Sequence, residues 1–319
     1  MSPIPTIPTW RWPGRQRGAA LVTAVLLAGL VAVLASAMLW QQWSSLNQQS
    51  QARQSEQARW ILRGAMDWAR IILQENARNS PVDALDQPWA TPLADTNLAD
   101  FLAVRGADAT ALRQAWIAGR IRDAQSRFNL ASLTRGGQPD AAAAASLLRL
   151  CAAFGVDANV VTQSVDALLA AQEGAGSALP LRQLSDLERQ VPQLAQLESE
   201  VTLLPQPTPV NANTADATLL AAMLNIAPSA AAELVQTRNR LGFFRTTSDI
   251  SQLLPQQPGG VDTTQLAVSS SFFLVISAVR LDDFNLAQIA LIQRNAGTTR
   301  VLQVHKLAPW LAAAGPSPS

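Results

Sequence analysis

The sequence has very little of the chemistry on which enzymes and metal sites depend. It contains one cysteine, Cys151, and one histidine, His305, among 319 residues. A single cysteine excludes an intrachain disulfide bond. Together the two counts exclude most zinc sites and most pairs of a nucleophile with a histidine base. We therefore expect that the protein is not an enzyme.

Charge is also scarce. Only 15% of the residues are charged, and the formal net charge is +1. A chain so close to neutrality creates no global field that would attract nucleic acid or acidic substrates. Its length allows one or two domains with real cores, and its excess of alanine and leucine favours helices.

The most informative feature is an uncharged run of 22 residues from Ala19 to Trp40. At about 1.5 Å per residue, such a helix crosses a hydrocarbon core of about 30 Å. Arginines but no acidic residues precede the run, so the positive-inside rule places the N-terminus in the cytoplasm. The sequence therefore predicts a single-pass membrane protein whose C-terminal domain lies outside the cytoplasm. Together with the family resemblance given below, this implies the inner membrane and a periplasmic C-terminal domain. A signal peptide cut near Ser36–Ala37 is the alternative, although the run is long for one.

The helical pattern continues beyond the apolar run. Ile61, Trp68 and Ile72 recur with the spacing of one helix face. Pro81 gives a firm stop. We predict one long helix over residues 19–78, half of it in lipid and half packed on a soluble domain.

The end of the chain has the pattern of a small antiparallel sheet. β-branched and aromatic residues predict strands at Ala115–Arg122, Ser271–Leu281, Ala287–Arg294 and Arg300–Lys306. Turns are predicted at Asp282–Asn285 and Asn295–Thr298. The polar and proline-rich stretch of residues 81–97, which contains Trp89, predicts an exposed loop.

A helical block lies between the first predicted strand and the others. Apolar periodicity predicts helices at Ala141–Phe154, Val160–Gln172, Leu184–Leu197, Thr214–Leu224, Ser229–Arg240 and Thr246–Leu254. The fold class is therefore expected to be α+β.

The junction before the apolar run resembles the leader of type IV pilin-like proteins. Arg15-Gln16-Arg17-Gly18 is followed at once by Ala19 and an apolar helix. The resemblance implies that residues 1–18 are a leader and that a prepilin peptidase cuts between Gly18 and Ala19. It further implies that Ala19 becomes N-methylated and that residues 19–40 remain as a membrane anchor.

Three further segments resemble motifs of the K-type minor pseudopilins of type II secretion. The segment Ile121–Leu130 resembles the family's (I)xDxxGRFNLN motif, Val210–Ala215 its xNVNTA motif, and Leu181–Leu187 its LxSxxEL stretch. The matching residues are Asp123, Arg127, Phe128 and Asn129 in the first segment, and Asn211, Asn213 and Thr214 in the second. Because their order and spacing match across nearly the whole chain, the sequence is identified as a member of this family.

The resemblance implies a type IV pilin-like fold, with a long N-terminal helix, a small antiparallel sheet and a large all-α insertion. The pilin-like α/β domain would comprise residues 79–125 and 269–319. Residues 126–268 would form the insertion, with a first SAM-like part at 126–203 and a second, helix-hairpin-helix-like part at 204–268.

The function implied by the resemblance is assembly. A K-type minor pseudopilin lies at the tip of the periplasmic pseudopilus and initiates its assembly for the export of folded proteins across the outer membrane. The implied partners are the I-, J- and H-type minor pseudopilins, the major pseudopilin, the prepilin peptidase and the inner membrane.

Thr23 bears on the tip position, because it is the fifth residue of the expected mature chain. Ordinary pilins carry glutamate there, which is thought to neutralise the N-terminal amine of a neighbouring subunit. An unpaired charge in the apolar core of a fibre costs several kcal/mol. A subunit without the acid therefore fits best at an end of the fibre. The alternative is that Thr23 is merely a tolerated small residue.

The main alternative function is DNA binding. Residues 211–253 also resemble the helix-hairpin-helix module of membrane-anchored DNA-uptake receptors, so a DNA-binding, uptake or adhesion protein of a related type IV pilus remains open. However, Pro228 in the hairpin turn has no N–H to offer a phosphate. The arginines of the module are balanced by acidic residues, and nucleic-acid affinity is mainly cationic. We therefore expect no nucleic-acid partner.

Calcium is the one cofactor that the resemblance raises. Members of the family carry acidic calcium sites in the helical domain, but the matching stretch here has only Asp166 and Glu173. Calcium takes six to eight oxygen ligands. We therefore expect no cofactor and predict that at least this calcium site is lost.

Overall fold

The structure is a computed structural model that describes residues 17–103, 114–173, 181–254, 261–282 and 284–308. Most of the expected leader, Asp283 of one expected turn, and residues 309–319 of the expected pilin-like domain lie outside the described residues. The chain divides into two compact units, Met1–Glu56 and Gln57–Ser319.

The described part of the first unit is the beginning of helix α1, which extends over Arg17–Asn79. Within it, Leu21–Gln42 is long and apolar enough to cross a membrane. Large side chains such as Leu26 and Leu34 are exposed along this span, where lipid rather than a protein core would cover them. The long helix that the apolar pattern predicts is therefore present.

The second unit combines helices with short and long strands. Its further helices are α2 (Leu98–Ala103), α3 (Ala141–Phe154), α4 (Asn159–Glu173), α5 (Leu184–Glu188), α6 (Ala217–Leu224), α7 (Pro228–Leu241) and α8 (Thr247–Leu253). Its strands are β1 (Leu93–Asn97), β2 (Ala115–Asp123), β3 (Phe128–Asn129), β4 (Thr134–Arg135), β5 (Gln138–Pro139), β6 (Val201–Thr202), β7 (Val210–Asn211), β8 (Leu266–Ala267), β9 (Phe272–Leu281), β10 (Phe284–Asn295) and β11 (Thr298–Leu307).

The long strands form a five-stranded antiparallel sheet in the order β1-β2-β9-β10-β11. The three strands predicted at the end of the chain are confirmed. The turn predicted at Asp282–Asn285 is too long, because Phe284 and Asn285 already pair with β9. Phe284 packs against an apolar cluster that contains Leu62, and this contact outweighs the turn preference of its polar neighbours.

The part of α1 that belongs to the second unit packs on one face of this sheet. Its buried stripe consists of Ala58, Leu62, Met66, Ala69 and Leu73. These residues recur every three or four positions, as expected for one face of a helix. They meet β-strand residues such as Ile117, Val275 and Ile292. Burying a leucine completely contributes about 1.5–3 kcal/mol, so this stripe is a main source of stability.

The segment of residues 81–97 was expected to be an exposed loop, and this expectation is wrong. Trp89 is 1% exposed, and its ring meets that of Phe273 edge to face at 5.4 Å. Residues Leu93–Asn97 form strand β1 and pair with β2. The prolines and polar residues of the segment suggested a loop. The favourable free energy of burying a tryptophan ring outweighs this weak local preference.

The region between β2 and β9 was expected to be all-α, and this expectation is wrong, although the region is mainly helical. It contains pairs of two-residue strands, namely β3 with β6, β4 with β5, and β7 with β8. The helix expected over Leu184–Leu197 is interrupted. Helix α5 ends at Glu188, and Pro192 begins a separate 3-10 turn over Pro192–Leu197, because proline cannot continue an α-helix.

The helical region has a core of its own. Leu147, Leu150, Leu187, Leu219 and Leu220 are buried within one cluster. Cys151 belongs to the same cluster and is fully buried, as its apolar sequence context predicts. Burial raises the pKa of the Cys151 thiol, which makes it a poor nucleophile.

Candidate functional site, a buried polar junction

Three of the expected site residues lie at the beginning of α1. Gly18 and Ala19 follow Arg17 directly, and Thr23 lies within the apolar span Leu21–Gln42. The side chain of Thr23 is exposed in this unit. The cut between Gly18 and Ala19, the methylation of Ala19 and the role of Thr23 stay predictions.

Other expected site residues meet where the five-stranded sheet joins the helical region. We call this cluster the polar junction, and it consists of Asp83, Asp123, Asn211, Thr214, Ser270 and Arg294. All of its members except the partly buried Thr214 are less than 9% exposed. Asp83 follows α1, Asp123 ends β2, Asn211 ends β7, and Ser270 precedes β9.

Asp123 is the centre of the polar junction. Its Oδ2 accepts hydrogen bonds from the hydroxyl groups of Ser270 and Thr214, both at 2.6 Å, and from Nδ2 of Asn211 at 2.9 Å. Its Oδ1 accepts one from the backbone N–H of Gln125 at 2.8 Å. These bonds connect the end of a sheet strand to two other segments of the chain, the loop of residues 211–214 and the segment before β9 that contains Ser270.

Burial raises the pKa of the Asp123 carboxyl group, because taking a carboxylate out of water disfavours its charged form. The hydrogen bonds from Ser270, Thr214, Gln125 and Asn211 oppose this shift, since each stabilises the charged form. Buried polar groups are tolerated only when they are hydrogen-bonded. Asp123 therefore needs all of these donors in place.

Asp83 and Arg294 form a second buried pair beside Asp123. Nη2 of Arg294 donates to Oδ2 of Asp83, and the two side chains are 8% and 1% exposed. Arg294 also donates to the backbone oxygens of Leu73 and Ser270 and stacks on the ring of Phe273. Arg294 thus ties β10 to the end of α1, since Leu73 belongs to α1.

Asn211 connects the two buried acids. Its Nδ2 lies 2.9 Å from Oδ2 of Asp123 and 3.0 Å from the backbone oxygen of Asp83. Asp83 in turn accepts a hydrogen bond from the backbone N–H of Ser270 at 2.8 Å. A single asparagine therefore bridges the segment after α1 and the end of β2.

Asn213 and Arg238 hold the loop that carries Asn211. The side-chain amide of Asn213 accepts from the N–H of Phe244 at 2.8 Å and donates to its oxygen at 3.0 Å. Nη1 of Arg238 donates to the backbone oxygens of Ala212 and Ala215 at 2.8 and 2.6 Å. Burial lowers the pKa of Arg238. The helical hairpin and the segment after it thus hold the loop of residues 211–215 in place.

The remaining motif residues lie next to the polar junction but not in it. Asn129 donates to the oxygen of Gln206 and accepts from the N–H of Leu204, which fixes the chain after β6. Phe128 is buried in the core of the helical region. Arg127 is partly buried and donates to the oxygen of Glu198 at 3.3 Å.

Three residues of the polar junction, Asp83, Ser270 and Arg294, were not predicted as site residues. Asp83 lay in the segment expected to be a loop, and a serine before a strand carries no distinctive signal. Arg294 carries a partial signal, because it lies two residues after the apolar strand segment Ala290–Ile292, near the end of β10. A charge in such a strand is either exposed or paired, and sequence alone does not decide between them.

The polar junction can support structure but offers no group for catalysis. Its carboxylates are buried and fully hydrogen-bonded. His305 is exposed on β11, where its Nε2 lies 3.4 Å from Oε1 of Gln303, which is not a member of the junction. In the described residues, no three His, Cys, Asp or Glu side chains are grouped so that they could hold a metal ion. The loss of the calcium site at Asp166 stays a prediction.

The helical hairpin of α6 and α7 offers little to a phosphate group. Asn225 closes α6 in a left-handed conformation, with φ of 53°. Pro228 is the first residue of α7, where an anion would otherwise meet a backbone N–H. Arg238 is committed to backbone oxygens. These features disfavour the DNA-binding alternative.

Comparison of the sequence with known proteins places these features in a family context. The protein-family model described as "Type II secretion system (T2SS), protein K" matches residues 210–269. This stretch contains Asn211, Asn213, Thr214 and Arg238.

Several relatives carry the same description over a longer range. The Type II secretion system protein K of Pseudomonas aeruginosa is 26% identical over 324 residues, covering 90% of this chain and 92% of the relative. That of Pectobacterium carotovorum subsp. carotovorum is 26% identical and covers 91% of this chain and 96% of the relative. That of Klebsiella pneumoniae is 35% identical over 129 residues, 40% of this chain and 36% of the relative.

A solved structure has a similar fold. The chain resembles one from the crystal structure of the GspK–GspI–GspJ complex of the enterotoxigenic Escherichia coli type 2 secretion system. The TM-score is 0.62 at 22% sequence identity, and the match covers 82% of this chain and 99% of that chain. At this identity the likeness concerns the mixed helix-and-sheet fold alone.

Proposed function

We infer that this chain, which belongs to the protein K family of type II secretion systems, is a minor pseudopilin of such a system. The observation that carries this inference is that two motif-like segments meet in the polar junction. Asp123 comes from one segment and accepts hydrogen bonds from Asn211 and Thr214 of the other. The matched residues therefore form one structural unit.

In the finer architecture, α1 and the five-stranded sheet form the type IV pilin-like part, and residues 126–268 are an insertion in it. The insertion consists of SAM-like and helix-hairpin-helix-like subdomains. The place of the polar junction supports this division. Asp123 lies just before the insertion and Ser270 just after it, so their hydrogen bond closes its base.

The place of the protein is the tip of the periplasmic pseudopilus. Two features support this position. Thr23 supplies no carboxylate to neutralise the amine of a neighbouring subunit, and an unneutralised charge in an apolar core is costly. The insertion also adds about 140 residues, the span from 126 to 268, which would obstruct the stacking of a further subunit above it.

The role at the tip is to initiate the pseudopilus that exports folded proteins across the outer membrane. The partners are the I- and J-type minor pseudopilins, the H type and the major pseudopilin, and prepilin peptidase processes the chain. The apolar span of α1 crosses the inner membrane, with the N-terminus in the cytoplasm and the second unit in the periplasm. The chain catalyses no reaction.

Co-purification tests this function. The full chain, tagged at its C-terminus, is extracted from the inner membrane in a neutral detergent, and its partners are identified by mass spectrometry. We expect the I- and J-type minor pseudopilins in amounts close to that of the chain. Immunogold labelling of isolated fibres should mark one end only. Labelling along the whole fibre would refute the tip position, and absence of both pilin-like partners would refute the minor-pseudopilin function.

A further inference from the structure

The sheet has a second face, which α1 does not cover. Side chains alternate between the two faces of a strand. On β2, Ile117 and Ile121 pack with the clusters under α1, so Ala118, Arg120 and Arg122 lie on the opposite face. Arg120 pairs across the strands with Ile276 and Arg122 with Leu274. The two arginines are therefore neighbours over an apolar strip.

Among the described residues, these two arginines have no partner for their charges or for their side-chain hydrogen-bond donors. Both are partly buried, and neither forms an ion pair or side-chain hydrogen bond with any described residue. Nε of Arg120 is buried without a hydrogen-bond partner. A buried donor without an acceptor costs about 1–3 kcal/mol.

The positive charges of Arg120 and Arg122 also repel each other. Burial lowers the pKa of Arg120, and the charge of Arg122 lowers it further. The pKa of the partly buried Arg127 is lowered by burial and by Arg122 as well, although Glu198 and Glu200 oppose that shift. Arg122 therefore lies near two other cations. An anion placed beside Arg120 and Arg122 would relieve the repulsion and supply the missing acceptors.

We propose that Arg120 and Arg122 form a docking site for an extended, acidic segment of a partner protein. Alternate residues on one strand face lie about 7 Å apart. Carboxylates at alternate positions of an extended segment have the same spacing, so two of them can meet the two arginines. Arginine is well suited to this role, because its planar group binds a carboxylate through two parallel hydrogen bonds.

Apolar surface beside the arginines favours protein over a phosphate ligand. Ala118 lies on the same face of β2, and Ile289 of β10 is partly exposed next to Ile276. An interface with charged residues at the margin of apolar contacts is typical of protein partners. Nucleic acid needs many cations, whereas the chain has a net charge of only +1.

The arginines lie on the face of the sheet opposite to α1. The proposed occupant of the arginine face is a protein other than the pilin-like subunits, recognised by its acidic and apolar side chains.

The test uses the full chain in a neutral detergent and a defined probe. The probe is a fluorescent peptide, Leu-Ser-Leu-Ser-Glu-Ser-Glu-Ser, whose alternate residues place two leucines and two glutamates on one face. The matched peptide has glutamine at both glutamate positions. We expect wild type to bind the glutamate peptide about tenfold more tightly than the glutamine peptide, as two partly desolvated ion pairs would give.

The double variant Arg120→Gln/Arg122→Gln should lose this preference, and Arg120→Lys/Arg122→Lys should retain part of it. The control Arg245→Gln removes an exposed arginine from the helical region and should change nothing. Equal binding of the two peptides by wild type, or an unchanged preference in the glutamine variant, would overturn the proposal. Tighter binding of single-stranded DNA or phosphatidylglycerol vesicles through the same arginines would also overturn it.

Two further measurements separate this site from structural effects and from the proposed function. The melting temperature of the glutamine variant should not fall, because the arginines lack partners to lose. A fall of many degrees would show that they hold the fold together and would contradict the proposal. Co-purification of the I- and J-type subunits should be the same for wild type and variant, whether or not the peptide binds.

Discussion

Asn211 donates a hydrogen bond to Asp123 over 2.9 Å, although the two residues lie 88 positions apart in the chain. Asn211 is fully buried and Asp123 is 4% exposed. Water therefore cannot replace either partner, and the loss of one leaves the other unsatisfied. Through this bond, the sheet and the helical region each provide the hydrogen-bond partner for a buried polar group of the other.

Asn211→Asp tests this dependence. The substitution places a second carboxylate against Asp123 with almost no change in shape. We expect the free energy of unfolding to fall by about 3–5 kcal/mol at neutral pH, because a buried charge loses its compensation. Denaturant unfolding of the full chain in detergent, followed by circular dichroism, measures it. The exposed control Gln206→Glu should change stability by less than about 0.5 kcal/mol. Equal effects of the two variants would contradict the prediction.

The pH dependence of stability should carry the signature of Asp123. Burial raises its pKa, so just above the ordinary carboxyl pKa of about 3.9 the folded chain binds more protons than the unfolded chain. The contribution of Asp123 to the free energy of unfolding therefore decreases as the pH rises through this window. It levels off above the raised pKa.

Asp123→Asn provides the reference for that measurement, because it cannot titrate. We expect the stability difference, wild type minus variant, to shrink as the pH rises from about 4. Denaturant midpoints at closely spaced pH values measure the difference. A difference that grows with pH would mean that the hydrogen bonds from Ser270, Thr214 and Asn211 outweigh burial.

The buried pair of Arg294 and Asp83 should be far more sensitive than an exposed pair. Arg294→Met leaves the carboxylate of Asp83 buried without its cation, which should cost about 3–5 kcal/mol. Adding Asp83→Asn should recover part of that loss. The exposed pair of Arg280 and Asp95, at 3.0 Å, is the matched control, and its double-mutant cycle should give only about 0.2–1 kcal/mol. Similar coupling energies in the two cycles would argue against a special role for the buried pair.

Processing should depend on Gly18 and not on the nearby Gly14. Mass spectrometry of the membrane protein should find an N-methylated N-terminus at Ala19 and a mature chain of 301 residues, which is the full 319 less the 18 of the leader. Gly18→Leu should leave the chain uncut, since the peptidase would meet a large side chain at the cleavage point, whereas Gly14→Leu should be processed normally. A cut near Ser36–Ala37 in wild type would show that the segment is a signal peptide instead.

Removal of calcium should change the stability little. Only Asp166 and Glu173 are acidic in the stretch where the resemblance places calcium ligands. A tightly bound ion would stabilise the fold by about 4 kcal/mol at a thousandfold excess over its Kd. The melting temperature with and without the chelator EGTA measures this. A drop of many degrees, reversed by calcium but not by magnesium, would reveal ligands outside that stretch.

Local sequence patterns correctly predicted the helices and strands whose signals lie within one short stretch of the chain. The apolar run of α1, the alanine-rich α3 and the β-branched strands β9 to β11 each carry their signal within a few turns or residues. Helix α3 is an example, since Asp140 caps its first turn and Gly155 ends it in a left-handed conformation. Such signals need no knowledge of the rest of the chain.

Where contacts come from distant segments, the local pattern misled. Trp89 was expected in an exposed loop because its neighbours are prolines and polar residues, yet it packs on Phe273 of β9. Likewise, Phe284 was placed in a turn because of its acidic neighbours. In both cases the free energy of burying an aromatic ring exceeds the weak preference of the surrounding residues.

The sequence by itself thus determined the membrane anchor, the mixed helix-and-sheet class and the motif residues Asp123, Asn211 and Thr214. Tertiary structure alone decided that these residues share one buried cluster with Asp83, Ser270 and Arg294. It also left Arg120 and Arg122 side by side without acceptors. The physical reason is that an aspartate or arginine has the same local signal on a surface as in a core. Only the arrangement of distant segments decides whether its charged group is hydrated, is paired with another side chain or is left without a partner.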